Sequence, residues 1–368
     1  MNPKVTFIVP CYKLAHVLPD CINSILAQTF SDFEVLIMDD CSPDNTPEVA
    51  ASFKDPRVKH IRNEPNLGHL CNYNKGIALS LGEYVWLISA DDYLRHSHIL
   101  ERYIELMDAH PRVGFVFCSA VKVRNGKEVG TLDYSLHGDK NRIFDGRQFL
   151  TKLIRENTIV AASGMVRKKY YDTVSVFPLG MPWGGDWYLW CVFALAGDVG
   201  YFAEPMVCYR EHDLSMTSKL MKDDVDQCSR EDINMPWILK RKVEDAGYEY
   251  LVESCLDSAA YDYARRIAAR RYKSATSRMT IDQFEESLRN STSDEKERNF
   301  VRARVYARVA DLYYWRGEES LARQFYPLAL RRDPWMPTVW AKRLLMAAGT
   351  VGDWIRRSRA RLHHRAAS

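Results

Sequence analysis

Two apolar runs in the first hundred residues each close on a pair of adjacent aspartates. Phe33-Glu34-Val35-Leu36-Ile37-Met38 runs into Asp39-Asp40, and Tyr84-Val85-Trp86-Leu87-Ile88-Ser89-Ala90 runs into Asp91-Asp92. Apolar runs of this length read as buried strands. Carboxylates at the carboxyl ends of buried parallel strands stand where an open α/β sheet holds its ligand. One such pair is equally well explained as a cap on the following helix. Two pairs in one domain point instead to a nucleotide and a divalent metal.

The surrounding segments alternate in the same way. Residues 5–10, 34–38, 58–62 and 84–88 read as strands, and 17–28, 47–53 and 70–81 as helices, the last entered through Asn66-Leu67-Gly68 and stopped by Gly82. A helix at 97–110, ended by Pro111, and a strand at 114–120 follow. This alternation predicts an α/β fold, a mostly parallel sheet flanked by helices. Residues 124–146 are polar and rich in turn formers, and read as an irregular loop over the site. Further on, 164–167 reads as a strand and 186–196 as a helix between Gly184-Gly185 and Gly197; 199–202 and 206–209 read as two short strands.

Length leaves room for two or three domains. From about residue 219 glycine thins out and charged helical patterns take over, which divides the chain into 1–218, a helical region at 219–334 and a basic tail at 335–368. Tyr313, Gly317, Ala322, Tyr326, Ala329 and Pro334 fall at the spacing of a tetratricopeptide helical hairpin near 303–334, or of any hairpin with small residues at its crossing. In the tail, Lys342, Arg343, Arg356, Arg357, Arg359, Arg361 and Arg365 stand opposite an apolar side with Trp340, Leu344, Ala348, Trp354, Ile355 and Leu362. Such a helix either lies on an anionic membrane surface or packs as a terminal helix with a frayed end.

Composition narrows the function classes. A net charge of +3 spread along the chain does not mark a nucleic-acid binder. Nine cysteines, scattered and without Cys-x-x-Cys or zinc spacing, read as reduced residues of a cytoplasmic protein. No apolar stretch approaches the length of a membrane span, and the amino terminus lacks a signal-peptide pattern. Neither Gly-x-Gly-x-x-Gly after the first strand nor Gly-x-x-x-x-Gly-Lys-Ser/Thr occurs, which disfavours nicotinamide dehydrogenases and P-loop kinases.

Val5-Thr6-Phe7-Ile8-Val9-Pro10-Cys11-Tyr12, then Ser31-Asp32-Phe33-Glu34, Asp39-Asp40-Cys41-Ser42 and Ser89-Ala90-Asp91-Asp92, in that order and spacing, resemble the family 2 glycosyltransferases across residues 1–215. The resemblance implies the glycosyltransferase A, or nucleotide-diphospho-sugar transferase, fold. It implies that Pro10 and Tyr12 line the donor base, although Tyr12 also fits an ordinary half-buried tyrosine. Asp40 matches the aspartate that accepts the uracil N3–H; thymine offers the same donor, so UDP- and dTDP-sugars both remain open. Asp39 then orders the loop. Asn66 and Gly68 open a helix whose amino terminus either positions the nucleotide or is simply capped. Asp91-Asp92 stands at the family's metal motif, with Ser89 where many members carry a further Asp. On this reading Asp92 holds Mn²⁺ or Mg²⁺ and Asp91 meets the ribose or supports the metal.

Asp186, in Trp183-Gly184-Gly185-Asp186-Trp187, matches the family's general base in members that invert the anomeric centre, with Gly185 in place of the usual Glu. Capping the helix is its alternative role. Tyr209-Arg210-Glu211-His212 resembles a late Tyr-Arg-x-His segment, which brings Arg210 to the diphosphate and His212 to the diphosphate or the metal. The expected protein is an inverting, metal-dependent glycosyltransferase of bacterial surface polysaccharide or glycolipid assembly. Its partners are a nucleotide-sugar donor and a glycan, lipid-linked or peptide acceptor. The helical region would serve the acceptor, a membrane surface or a homodimer. The alternatives are a transferase acting on peptide or protein, and a non-catalytic sugar-nucleotide-binding adaptor.

Overall fold

The first two apolar runs carry no alternation of polar and apolar residues, and strands of that kind need cover on both faces. β1 (Val5–Cys11) and β2 (Phe33–Asp39) are buried at every position. The structure, a computed structural model, describes residues 2–132, 137–213, 215–269 and 278–347. It divides into two compact units, Met1–Asp224 and Val225–Ser368.

In the first unit, α1 (Leu18–Leu26), α2 (Thr46–Ser52), β3 (Val58–Arg62), α3 (His69–Leu79), β4 (Tyr84–Leu87), β5 (Tyr93–Leu94) and α4 (Ile99–Ala109) follow the expected alternation. β6 (Val113–Arg124), β7 (Lys127–Leu132), β8 (Arg142–Phe144), α5 (Gly146–Leu153), β9 (Met165–Arg167), α6 (Lys168–Thr173), α7 (Gly185–Ala196), β10 (Asp198–Arg210) and α8 (Met216–Asp223) complete it. The strands form one sheet in the order β3-β2-β1-β4-β9-β6-β10-β5, with β7 on β6 and β8 on β10.

β1 to β4 are parallel, as are β6 and β10, but the sheet is mixed: β9 runs antiparallel between β4 and β6, and β5, β7 and β8 are antiparallel to their partners. Much of residues 124–146, expected as an irregular loop, is sheet. Asn125 and Gly126, both at positive φ, turn β6 into β7 as a two-residue hairpin. The two short strands expected at 199–202 and 206–209 are one strand, β10, whose register shifts between Phe202 and Val207.

α3 lies close on the sheet because Gly76 lets it. A Cβ there would sit 2.6 Å from Ile8 Cγ2 and 3.3 Å from Met38 Cγ. On the other face a ring stack runs from Phe7 through Trp86 and Tyr103 to Phe202, with centroids 4.8–5.4 Å apart. The Trp86 indole N–H donates to the Ala162 carbonyl at 2.8 Å. These contacts stiffen the strands whose carboxyl ends carry the aspartates.

The second unit is helical: α9 (Val225–Asp245), α10 (Val252–Ile267), α11 (Ile281–Ser291), α12 (Glu295–Trp315), α13 (Glu319–Arg332) and α14 (Pro337–Ala347). α12 and α13 form a hairpin turned by Gly317 at φ +79°, and Ala322, Tyr326 and Ala329 are fully buried in it. α14 holds Trp340, Lys342, Arg343 and Leu344 of the expected basic helix. Ala348, Trp354, Ile355, Arg356, Arg357, Arg359, Arg361, Leu362 and Arg365 lie outside the described residues. Among the described residues no helix is long and apolar enough to cross a membrane.

Candidate active site

The carboxyl ends of β1, β2 and β4 are neighbours in the sheet, so the two aspartate pairs meet along one rim. Pro10 is buried in β1, and its carbonyl accepts the Ala90 N–H at 3.1 Å, which ties the first strand to the second aspartate pair. Tyr12, just past the strand, is 39% exposed rather than half-buried. Lys13 Nζ lies 5.1 Å and Lys219 Nζ 6.0 Å from its ring centroid. Both cations thus lie over the ring of a solvent-exposed tyrosine.

The two members of the first pair do different work. Asp39 is fully buried; its Oδ1 accepts the Ser42 N–H at 2.8 Å and its Oδ2 faces Arg62 Nη1 at 2.7 Å and His60 Nε2 at 3.2 Å. Burial pushes this carboxyl up, but Ser42, Arg62 and His60 together outweigh it and hold it below the usual range. Asp39 thus orders the loop after β2. Asp40 Oδ1 accepts from Asn63 Nδ2 at 2.9 Å and from the Leu67 N–H at 2.8 Å, while Oδ2 accepts the Gly68 N–H at 3.0 Å. Asn66 Nδ2 donates to the Asp40 carbonyl at 2.6 Å. Asp40 therefore gathers the 66–68 turn against β2 and keeps acceptor capacity on Oδ2.

The second pair is wired to the end of β10. Asp91 Oδ2 meets His212 Nε2 at 2.9 Å. Burial raises the Asp91 carboxyl, and hydrogen bonds with His212 and Ser89 more than reverse that and hold it low. Asp92 is buried more deeply. Its Oδ1 accepts the Arg210 backbone N–H at 2.9 Å, and desolvation followed by the charge of Asp91 pushes its carboxyl up. Arg210 Nε donates to the Asp91 carbonyl at 2.9 Å and Nη2 pairs with Asp20 at 2.9 Å. The guanidinium thus ties the end of β10 to the rim. It is Asp91, not Asp92, that stands against His212.

Asp186 begins α7. Its Oδ1 accepts the Trp187 N–H at 2.7 Å and Oδ2 accepts from Asn157 Nδ2 at 3.0 Å. The carboxyl is only partly exposed, and desolvation raises it to about 6, against those two hydrogen bonds and one from its own backbone N–H. Such a carboxyl stays ionised at neutral pH yet is basic enough to accept a proton. The Trp187 ring is buried, its N–H donating to the Leu153 carbonyl at 2.6 Å, so it packs rather than facing the rim.

Tyr73 on α3 links these groups. It is buried, and its phenol is kept neutral first by desolvation and then by the negative fields of Asp91, Asp186, Asp92 and Asp40 together. All four carboxylates thus lie within electrostatic range of one phenol. α3 also grips the chain leading to Asp186: His69 Nε2 meets the Pro182 carbonyl at 3.2 Å, and Asn74 exchanges hydrogen bonds of 2.8 and 3.0 Å with the Phe177 backbone. Sequence reading missed Asn63, Tyr73 and Asn157. Asn63, at the end of β3, repeats the pattern of a polar residue closing a strand; Tyr73 and Asn157 carry no local signal.

Among the described residues no three His, Cys, Asp or Glu side chains converge as a closed metal site. The Asp91–His212 pair fits a divalent ion that takes its remaining ligands from a diphosphate and water, since Mg²⁺ and Mn²⁺ bind through few side chains in such sites. A separate cavity of 590 Å³, lined by Lys4, Asp32, Gly82 and Arg167, lies at the opposite, amino-terminal ends of β1 and β4.

Residues 6–174 match the family described as glycosyl transferase family 2; the match ends before Asp186 and His212. The succinoglycan biosynthesis protein ExoO of Rhizobium meliloti (strain 1021) is 39% identical over 107 residues, 29% of this chain and 30% of that protein. An uncharacterized glycosyltransferase of Haemophilus influenzae is 27% identical over 222 residues, 57% of this chain and 66% of that protein. The crystal structure of S. aureus TarS 1–349 in complex with UDP-GlcNAc shares the fold at a TM-score of 0.59 and 17% identity, over 90% of this chain and 92% of that one. The chain spans 28–36% of the length of the curated relatives it matches first. Over residues 6–174, on a nucleotide-diphospho-sugar transferase fold, this chain carries a glycosyl transferase family 2 domain.

Proposed function

We propose that this chain is an inverting, metal-dependent glycosyltransferase that moves a sugar from a UDP- or dTDP-sugar to an acceptor hydroxyl, in the assembly of a bacterial surface polysaccharide or glycolipid. The observation that carries the reading is that Asp40, Asp91, Asp92 and Asp186 all act electrostatically on one buried phenol, that of Tyr73. On this reading the donor-binding rim and the base serve one reaction centre.

In this mechanism Tyr12 stacks on the donor base. The remaining acceptor position on Asp40 Oδ2 takes its N3–H, and the Asn66–Gly68 turn that Asp40 holds supports the nucleotide. Asp91 and His212 would hold the cation, with Asp92 and Arg210 fixing them in place. A divalent cation bound there would neutralise charge on the leaving nucleoside diphosphate. Asp186 takes the proton of the acceptor hydroxyl as that oxygen attacks the anomeric carbon. The bond to the diphosphate breaks on the opposite face, so the anomeric configuration inverts.

The reading is tested by nucleotide-sugar turnover and by a thermal-shift screen of UDP-, dTDP-, GDP- and CMP-sugars with and without Mn²⁺. UDP or dTDP donors should stabilise the wild type in a metal-dependent way. Asp186→Asn should lose about 10²–10⁴-fold in turnover while still binding donor. Stabilisation by GDP-mannose alone refutes the role of Asp40. Donor binding without turnover by the wild type returns the protein to the adaptor class, which the Ser89 and Gly185 departures favour.

A further inference from the structure

The segment between α5 and β9 grips the start of α7 twice. Leu153, the last residue of α5, accepts the Trp187 indole N–H at 2.6 Å, and Asn157 Nδ2 donates to Asp186 Oδ2 at 3.0 Å. The amide of Asn157 has only one sensible orientation. Its Oδ1 accepts the Ile159 N–H at 3.2 Å, which turns the NH₂ toward the carboxylate. The residues that follow anchor the amide: Thr158 is fully buried with its carbonyl facing His137 Nε2 at 3.2 Å, and Ile159 is 2% exposed.

We propose that Asn157 is a positioning residue for the proposed base: its amide fixes the direction of the Asp186 carboxylate and favours its ionised form. The inference rests on the reading of Asp186 given above and extends it to a residue outside the rim. Of the two Asp186 oxygens, Oδ1 is tied to the backbone of its own helix, so Oδ2 is the one whose direction a neighbour can set. A hydrogen bond donated to a carboxylate favours the charged form, and here it works against desolvation, the larger influence. No charged side chain contributes to the shift of Asp186. From α3, Tyr73 and His69 are the titratable groups nearby; Tyr73 feels the Asp186 charge, and His69 is turned to the Pro182 carbonyl. The burden of keeping this carboxyl ionised therefore falls on the Trp187 N–H, on Asn157 and on the backbone N–H of Asp186 itself, and of these Asn157 is the side chain.

The test compares wild type, Asn157→Ala and Asn157→Asp by the pH profile of kcat/KM for UDP-sugar turnover, with UDP affinity and thermal midpoint measured alongside. In the wild type, activity should rise with pH through the ionisation of Asp186. Without the amide donor the carboxyl is more readily protonated. The acidic limb of Asn157→Ala should move up by about one pH unit, about a tenfold loss below the limb that is recovered at high pH. Asn157→Asp keeps the shape and the acceptor for Ile159 but places a second carboxyl against the first. Its limb should move further up than that of Asn157→Ala, because two carboxylates in contact resist joint ionisation. UDP affinity should be unchanged in both. A limb that stays in place while activity falls equally at every pH overturns the inference and leaves Asn157 a packing residue. If Asp186→Asn keeps the wild-type activity and limb, the base assignment itself fails, a distinct result.

Discussion

Asp186→Asn should gain stability relative to the wild type as pH rises, while it loses turnover. The carboxyl titrates near 6 in the folded protein against 3.8 for a free aspartate. Its folded pKa is the higher one, so the folded state binds the proton more tightly than the unfolded state. Wild-type stability therefore falls as pH rises between 3.8 and about 6, and stays lower above that window. At about 1.4 kcal/mol per pH unit the whole span amounts to roughly 3 kcal/mol, of which somewhat under half remains between pH 5 and pH 8. Asp186 is partly exposed, so solvent screening reduces this to about 1 kcal/mol.

Asparagine carries no charge and escapes that term. It also sets its NH₂ against the Asn157 NH₂, which costs about 1 kcal/mol at every pH and cancels when the two pH values are compared. Thermal unfolding of wild type and Asp186→Asn at pH 5 and pH 8 isolates the ionisation. The difference in Tm should shift in favour of the variant by about 2–4 °C on going to pH 8. A difference that is the same at both pH values would refute the claim that Asp186 ionises in a desolvated place, and with it the physical basis for its use as a base.

Two further perturbations probe the frame around the site. Asp40→Ala removes the acceptor of the Leu67 N–H and one of the two acceptors of Asn63 Nδ2, and should lower stability by about 2–3 kcal/mol in urea unfolding. The milder Asp40→Asn should retain most of that stability but weaken UDP about tenfold by calorimetry; unchanged affinity would remove Asp40 from the donor site. Gly76→Val drives a side chain into Ile8 and Met38 and should cost at least about 2 kcal/mol, with lower donor affinity because α3 carries the 66–68 turn at its start; a wild-type midpoint would show that α3 can lift from the sheet freely.

Much of this was legible in the chain itself. Runs such as Val5–Cys11 and Phe33–Asp39 are mostly apolar, without a polar alternation, because helices cover both faces, and that local property predicts the strands, their burial and the placing of Asp39-Asp40 and Asp91-Asp92 at one rim. The hairpin after β6 was also written locally, in Asn125-Gly126, but the polar composition around it masked the signal. Composition cannot tell a bulge from a break, so β10 read as two strands although the sheet carries it through the irregularity at Phe202–Val207.

Partnership was decided only by the tertiary fold. Asp91 and Asp92 are equivalent as letters, yet β10 delivers His212 to one and the Arg210 N–H to the other, from more than a hundred residues away. Asn157 gains its importance from Asp186 by the same route. A strand or helix is specified by the periodicity of neighbouring residues, which any reader of the chain can follow. The charge state and aim of a carboxylate depend instead on which dipoles surround it and how much water they displace, and those neighbours are chosen by the way the sheet and its helices close around the cleft.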